Sequence, residues 1–346
     1  MIKRWFWRVK VSVLALLATL DEVTDVFALL KFREQGAWPF FWASIVILVM
    51  ASASGGFLGM LATSPNYRSD PSYRSGVCLG ITFGMLGLSP IVEAINDLRE
   101  GQETGASGAV KIFEAQFESA SQFILQLLYI TVDTWRGAWE TSRIVVYSCG
   151  ISFFSLALQF ATYAQSPAGI ESTVKMTLRS GTHSKVLTVG FLFYFASDLT
   201  LRALAVCVLG YAAEGWAWIV AVVYLATHVL TIEILKPKSF EVLICAFTSL
   251  GIGSSLFMLM DVFGSKPQAK GEFVVSTVGC VAAVIAGLYW PGLPHPHVDP
   301  TFRAASMGMM ATAASAKVVS FIWYVFPAKY GSVDKQEAHL IDVLSA

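Results

Sequence analysis

Residues 113–130 read FEAQFESASQFILQLLYI, and whether the chain folds in water or in lipid turns on them. Glu114, Glu118, Gln122 and Gln126 recur at every fourth position. Four residues turn an α-helix by about 400°, so they fall on one slowly drifting face. The positions between them are mostly apolar, which sets a polar stripe on a helix otherwise suited to hydrocarbon.

The surrounding chain has the same bias. Of its 346 residues, 55% are hydrophobic and 14% charged, which makes a water-soluble domain a poor explanation and a polytopic membrane protein the default. Runs near the roughly 20 residues needed to cross a ~30 Å hydrocarbon layer recur throughout. They lie at about 9–30, 38–61, 76–95, 110–130, 142–164, 186–212, 216–235, 239–260, 272–290 and 304–326. The first follows a basic start, Lys3, Arg4, Arg8 and Lys10, but carries Asp21, Glu22 and Asp25 and lacks a small-residue cleavage site, so it reads as a retained helix.

Charge and parity order these runs. By the positive-inside rule the N-terminus, the gap with Lys175, Arg179 and Lys185, the gap with Lys236 and Lys238, and the tail with Lys329 and Lys335 are cytosolic. Three runs separate the loop carrying Arg68 and Arg74 from the basic gap, and three more separate Lys238 from the tail. An odd number of crossings would place each following segment outside, so one run in each set enters and returns. The third run of each half suits this role: 76–95 holds Gly84, Gly87 and Pro90, and 239–260 holds Gly251 and Gly253.

The expected fold is an all-α polytopic membrane helix bundle of about eight transmembrane helices plus two re-entrant half-helices in two pseudo-repeats. Its segments are a first membrane half at 1–164, a cytosolic linker at 165–185, a second membrane half at 186–328 and a cytosolic tail at 329–346.

An ionisable group at the bilayer centre costs about 2.5–3.5 kcal/mol on insertion scales, so each requires a partner, water or a proton. Asp21 and Asp25 share one face of the first run, and Asp198 and Arg202 form an acid-before-base pair four residues apart. Arg202 reads as the one basic residue deep in a crossing helix, placed to neutralise Asp198 and, across helices, Asp21 or Asp25. The plain structural reading of these groups is interhelical glue, worth roughly 0.6–2 kcal/mol per hydrogen bond. A stripe of four polar residues and a second acidic pair exceed what glue requires.

Cys78, Cys149, Cys207, Cys245 and Cys280 have no CxxC spacing, and His295-Pro296-His297 lacks a third ligand, so no metal site is expected. Asn66 and Asn96 begin no glycosylation sequon. There is no phosphate loop, dinucleotide fingerprint, HExxH or nucleophile elbow, so neither an enzyme nor a cofactor is expected. No basic patch supports a nucleic-acid partner.

The stretch FEAQFESASQFILQLLYI resembles the FExxxExxPQLxLQLYI-type segment of the XK-related membrane proteins. LDEVTDVFALLKFREQGAWPFFWASIVIL is similar to that family's first two helices, with Asp21, Thr24 and Asp25 in its D-x-x-T-D pattern. LRALAV, with Arg202, resembles the family's arginine-bearing helix in the second half, and GLSPIVEAINDL resembles its segment before the long loop. The resemblance implies eight crossing and two partly inserted helices, a plasma-membrane location, and phospholipid scrambling without ATP. It also implies association in some members with a single-span or lipid-transfer partner, and it carries over Asp21, Asp25, Glu118, Gln122 and Arg202 as intramembrane polar positions. Ser121 stands where the family has proline, and the tail DKQEAHLIDVLSA has no DxxD caspase sequence.

Two functions follow as expectations. One is passage of lipid headgroups along a track of Asp21, Asp25, Glu114, Glu118, Gln122, Gln126, Asp198 and Arg202. Its bland form is a scaffold holding a lipid-transfer protein at the membrane. The other is a proton- or cation-coupled transporter or channel, for which paired intramembrane acids are equally suited.

Overall fold

The computed structural model of the chain describes residues 2–49, 91, 94–95, 98–99, 119–136, 142–164, 181–213, 266–289 and 300–325. Among these, every regular element is helical. The runs expected at 216–235 and 239–260, and nearly all of that at 76–95, lie outside the described residues. Two compact units divide the chain, Met1–Gln159 and Phe160–Ala346.

In the first unit, α1 (Ile2–Glu34) is 33 residues long, about 50 Å at 1.5 Å per residue. Its end is encoded locally. Gly36 has φ of 70°, and its N–H bonds Arg33 O at 3.1 Å while Ala37 N–H bonds Phe32 O at 2.9 Å. That is a Schellman stop, which needs a residue tolerant of positive φ where Gly36 stands. Ala37 and Phe32 are both buried in one apolar cluster, completing the motif's hydrophobic contact. Lys31 and Arg33 in the last turn complement the carbonyl end of the helix.

The helix α2 (Trp38–Val49) starts immediately, with Phe41 N–H bonded to Ala37 O at 3.0 Å. Pro39 sits in its first turn, where no intrahelical donor is lost. Then come α3 (Ala120–Arg136) and α4 (Arg143–Ala164), most of which belongs to this unit, the boundary falling after Gln159. Phe32, Phe40 and Tyr129 pack ring against ring at 4.6 to 5.9 Å, with Ala28 and Val145 beside them. Tyr129 donates its hydroxyl hydrogen to Gln35 Oε1.

Contacts set the directions of these helices. Asp25 meets Gln126 and Phe32 meets Tyr129, so α1 and α3 run parallel. Asp21 meets Ser152 and Asp25 meets Ser148, so α4 opposes α1. Ser44 meets Gln122 and Phe40 meets Tyr129, so α2 opposes α3.

The second unit holds α5 (Gly181–Ala213), α6 (Lys266–Tyr289) and α7 (Pro300–Ser320), which continues as a π-turn over Phe321–Val325. Asp198 meets Lys317, and Tyr194 meets Phe321, so α5 and α7 are antiparallel. Ser276 meets Lys317 and Arg303 stacks on Tyr289, which makes α6 antiparallel to α7. Gly287 allows α6 to approach α5 closely, because a Cβ there would lie 2.6 Å from Val208 Cγ1 and 3.2 Å from its carbonyl oxygen. The α5 start at Gly181 takes up the end of the gap expected to be a linker.

Arg143–Thr162, Thr188–Leu209 and Pro300–Val325 are long and apolar enough to cross a membrane, and the protein is membrane-embedded. Burial has the polarity of a membrane interior rather than a soluble core. Asp21, Asp25, Ser44, Gln122, Gln126, Ser148 and Ser152 are buried, while Leu16, Leu20, Val23, Phe27, Leu30, Trp42, Val46 and Phe154 are exposed. Water would expel those apolar faces; hydrocarbon accepts them and drives the polar groups inward.

Candidate functional site

The first unit gathers its polar side chains into one buried network. α1 supplies Asp21 and Asp25, one helical turn apart, and α4 supplies Ser152 and Ser148 at the matching antiparallel register. Ser152 Oγ donates to Asp21 Oδ1 at 2.5 Å, and Ser148 Oγ donates to Asp25 Oδ1 at 2.8 Å. From α3, Gln126 Nε2 donates to Asp25 Oδ1 at 2.6 Å and reaches Ser148 Oγ at 3.0 Å. One turn earlier, Gln122 exchanges two hydrogen bonds with Ser44 of α2, accepting from its hydroxyl at 3.0 Å and donating to its carbonyl at 3.2 Å. Ser119 is a further hydrogen-bond partner of Asp21.

The donors named above are all uncharged. Neutral hydroxyls and amides stabilise a buried carboxylate, but each does so less strongly than an ammonium or guanidinium would. Gln126 is wholly buried, yet among the described residues no donor reaches its Oε1. A buried acceptor left without a hydrogen bond costs about 1–3 kcal/mol.

The second unit solves the same problem with full charges. Arg202 Nε lies 2.9 Å from Asp198 Oδ2, and Lys317 Nζ from α7 lies 2.5 Å from Oδ1 of the same carboxylate. The ammonium also donates to Ser276 Oγ of α6 at 2.8 Å. It sits 5.5 Å from the ring centre of Phe273 and 5.9 Å from that of Tyr194. Aromatic faces of this kind favour a desolvated cation. Lys317 and Arg202 are among the largest fully buried side chains.

Of the residues singled out in the sequence, the structure brings Asp25 and Gln126 of the first unit into direct contact and buries Asp21 and Gln122 one turn earlier on the same helices, and within the second unit it pairs Asp198 with Arg202. Glu114 and Glu118 lie outside the described residues.

Arg202 is not the one deeply buried base, as expected from the sequence; Lys317 is a second, with no exposed side-chain surface. Its signal was an isolated lysine in an otherwise small and apolar stretch, on the face shared by Ser306, Met310, Ala313 and Ser320. Ser44, Ser148 and Ser152 were also missed. Ser148, Ser152, Ser155 and Gln159 do repeat at helical spacing in α4, and Gln159 Nε2 bonds Ser155 Oγ at 2.8 Å. Serine is common at helix contacts in membranes, so the repeat does not announce a partner.

Among the described residues no group of three His, Cys, Asp or Glu side chains is placed to hold a metal ion. No protein-family model and no curated protein sequence matches this chain. The functional reading therefore rests on side-chain arrangement.

Proposed function

We propose that the protein is a multi-pass membrane protein of the XK-related type that moves phospholipids between leaflets, the headgroup following the polar faces of α1, α3 and α4. The observation that carries this reading is a buried polar cluster in two layers about one helical turn apart, Gln126, Asp25 and Ser148 in one and Gln122, Ser44, Asp21 and Ser152 in the other. Rungs about 6 Å apart along a helix would replace headgroup hydration in steps, dividing one large desolvation barrier into smaller ones.

Helix directions support the same architecture. Parallel α1 and α3, with α2 opposed to both, is what a returning segment between α2 and α3 would produce. Parallel α5 and α6 have the same meaning in the second unit. On this reading the termini are cytosolic and the membrane is the plasma membrane. Glu114 and Glu118 extend the track toward the cytosol, and a single-span or lipid-transfer protein is the expected partner.

The closed burial of the network makes the described arrangement a resting state: a headgroup enters only when the helices part. That same closure favours a second reading, proton or cation transport, because a small ion needs no wide furrow. Variants separate the two. Replacing Gln122 and Gln126 together by Leu is expected to slow lipid exchange in proteoliposomes by at least about tenfold, equivalent to 1.4 kcal/mol of lost barrier stabilisation. Unchanged lipid exchange in a folded double variant contradicts the track. Proton flux that is abolished by Glu118→Gln, with no lipid exchange in the parent protein, selects the transporter.

A further inference from the structure

One guanidinium of the second unit lacks an acceptor. Arg303 lies in the first turn of α7, a helix of membrane-crossing length, about 5 Å from its start at 1.5 Å per residue. The side chain is half-buried, and its Nε is covered yet has no hydrogen-bond partner. Its cross-helix contact is the ring of Tyr289 at the end of α6, whose centre lies 4.9 Å from Cζ. A ring stacked on the face of a guanidinium stabilises the charge but leaves the N–H groups along its edge without acceptors. Arg202 of the same unit has Asp198, whereas among the described residues no carboxylate is paired with Arg303.

An apolar stripe on α6 leads up to this cation. Val274, Val278, Ala282, Ile285 and Tyr289 are exposed, and their spacing puts them on one face about 22 Å long. The stripe ends at the ring on which the guanidinium sits.

We propose that Arg303 and Tyr289 hold the phosphodiester of a membrane phospholipid, with an acyl chain lying along the exposed face of α6. A phosphodiester has one negative charge and two non-bridging oxygens. These match one guanidinium and the two parallel N–H groups along its Nε edge. An inositol polyphosphate headgroup would call for several cations, and one is present. The plain alternative is an arginine snorkelling to interfacial water. Water reaches the exposed part of the side chain and leaves the covered Nε–H unsatisfied; a phosphate tethered by its chains draws that edge outward and accepts both bonds. The site stands on membrane embedding and not on lipid movement.

The experiment follows the thermal unfolding midpoint of purified, delipidated full-length protein in detergent. Phosphatidylcholine, diacylglycerol with the same chains, and inorganic phosphate are titrated separately. Binding to the folded state raises the midpoint in a saturable manner. Phosphatidylcholine is expected to half-saturate at least about tenfold below diacylglycerol, the discrimination that charge-assisted hydrogen bonds supply, and inorganic phosphate is expected to give no rise. Arg303→Gln should bring phosphatidylcholine to the half-saturation of diacylglycerol while leaving the diacylglycerol response unchanged, which also shows that the variant is folded. Arg303→Lys keeps the charge without the fork and should recover part of the preference.

Equal half-saturation of the two lipids in the parent protein overturns the proposal, as does a preference undiminished in Arg303→Gln. If Arg303→Gln does not fold, an undiminished preference in both Arg303→Lys and Tyr289→Leu overturns it. A rise with inorganic phosphate equal to that with phosphatidylcholine overturns the lipid assignment. Lipid exchange by a protein without the preference refutes the site and leaves the lipid reading standing. The preference in a protein without lipid exchange does the reverse.

Discussion

Asp198 answers to two cations, and the two are not redundant. Arg202 reaches it from one turn along the same helix, whereas Lys317 reaches it from α7 and so ties two helices together. Removing one member of a buried ion pair costs about 3–5 kcal/mol, because the remaining charges stay buried with less compensation. Lys317→Met is expected to destabilise by about that much, read as a lower unfolding midpoint in detergent. Adding Asp198→Asn should recover part of the loss; a double variant whose loss equals the sum of the two single losses means that the residues are not coupled. Ser152→Ala removes a hydroxyl bonded to a carboxylate and should cost about 1.5–3 kcal/mol. A midpoint unchanged by Ser152→Ala contradicts the pairing with Asp21.

Much of this chemistry is readable in the chain, and the unread part has a physical reason. Asp198 and Arg202 lie on one helix, so their spacing alone brings them together. Asp25 and Gln126 are 101 positions apart, and their contact depends on how three helices dock. Periodicity shows that each faces inward but not which partner it finds. Lys317 was obscured by the apolar length of its run, since one lysine does not interrupt a membrane-length window. The serines of α4 were obscured by their ordinariness.

At the scale of elements, glycines mark where backbone geometry decides. Gly36 ends α1 at positive φ with open space around it, so Gly36→Ala is strained by backbone conformation and not by crowding. It should cost about 1 kcal/mol. Gly150, in the interior of α4, also has open space, and Gly150→Ala should stabilise by about 0.5–1 kcal/mol. The pair therefore shifts the unfolding midpoint in opposite directions, and shifts of the same sign contradict the end assigned to α1. Gly287→Ala meets Val208 side chain and backbone and should destabilise by about 1–3 kcal/mol as α5 and α6 are pushed apart. The end of α1 is set locally by Gly36 before Trp38-Pro39, a few residues past the apolar run read at about 9–30, whereas the closeness at Gly287 depends on a helix far away in the chain.

For the whole molecule, the informative pattern is polarity turned inward. Asp21, Asp25, Gln122, Gln126 and the serines Ser44, Ser148 and Ser152 of the first unit are covered, while Leu16, Val23, Phe27, Trp42, Val46 and Phe154 face outward. Membrane insertion follows from that pattern together with three helices of membrane-crossing length. Parity of charged loops gives the orientation proposed above. Single cysteines placed at residues 5 and 175 in a cysteine-free background should react with an impermeant maleimide only after the plasma membrane is opened. Labelling of either position in intact cells contradicts cytosolic placement of that segment.

Lipid movement is the central claim, and reconstitution tests it most directly. Full-length protein is placed in liposomes carrying a headgroup-labelled fluorescent phospholipid, and an impermeant reductant is added to bleach the outer leaflet. If the protein exchanges lipid between leaflets, fluorescence falls well beyond the outer half toward full loss, without ATP. A decay that stops at about one half, the same as in protein-free liposomes, contradicts the account.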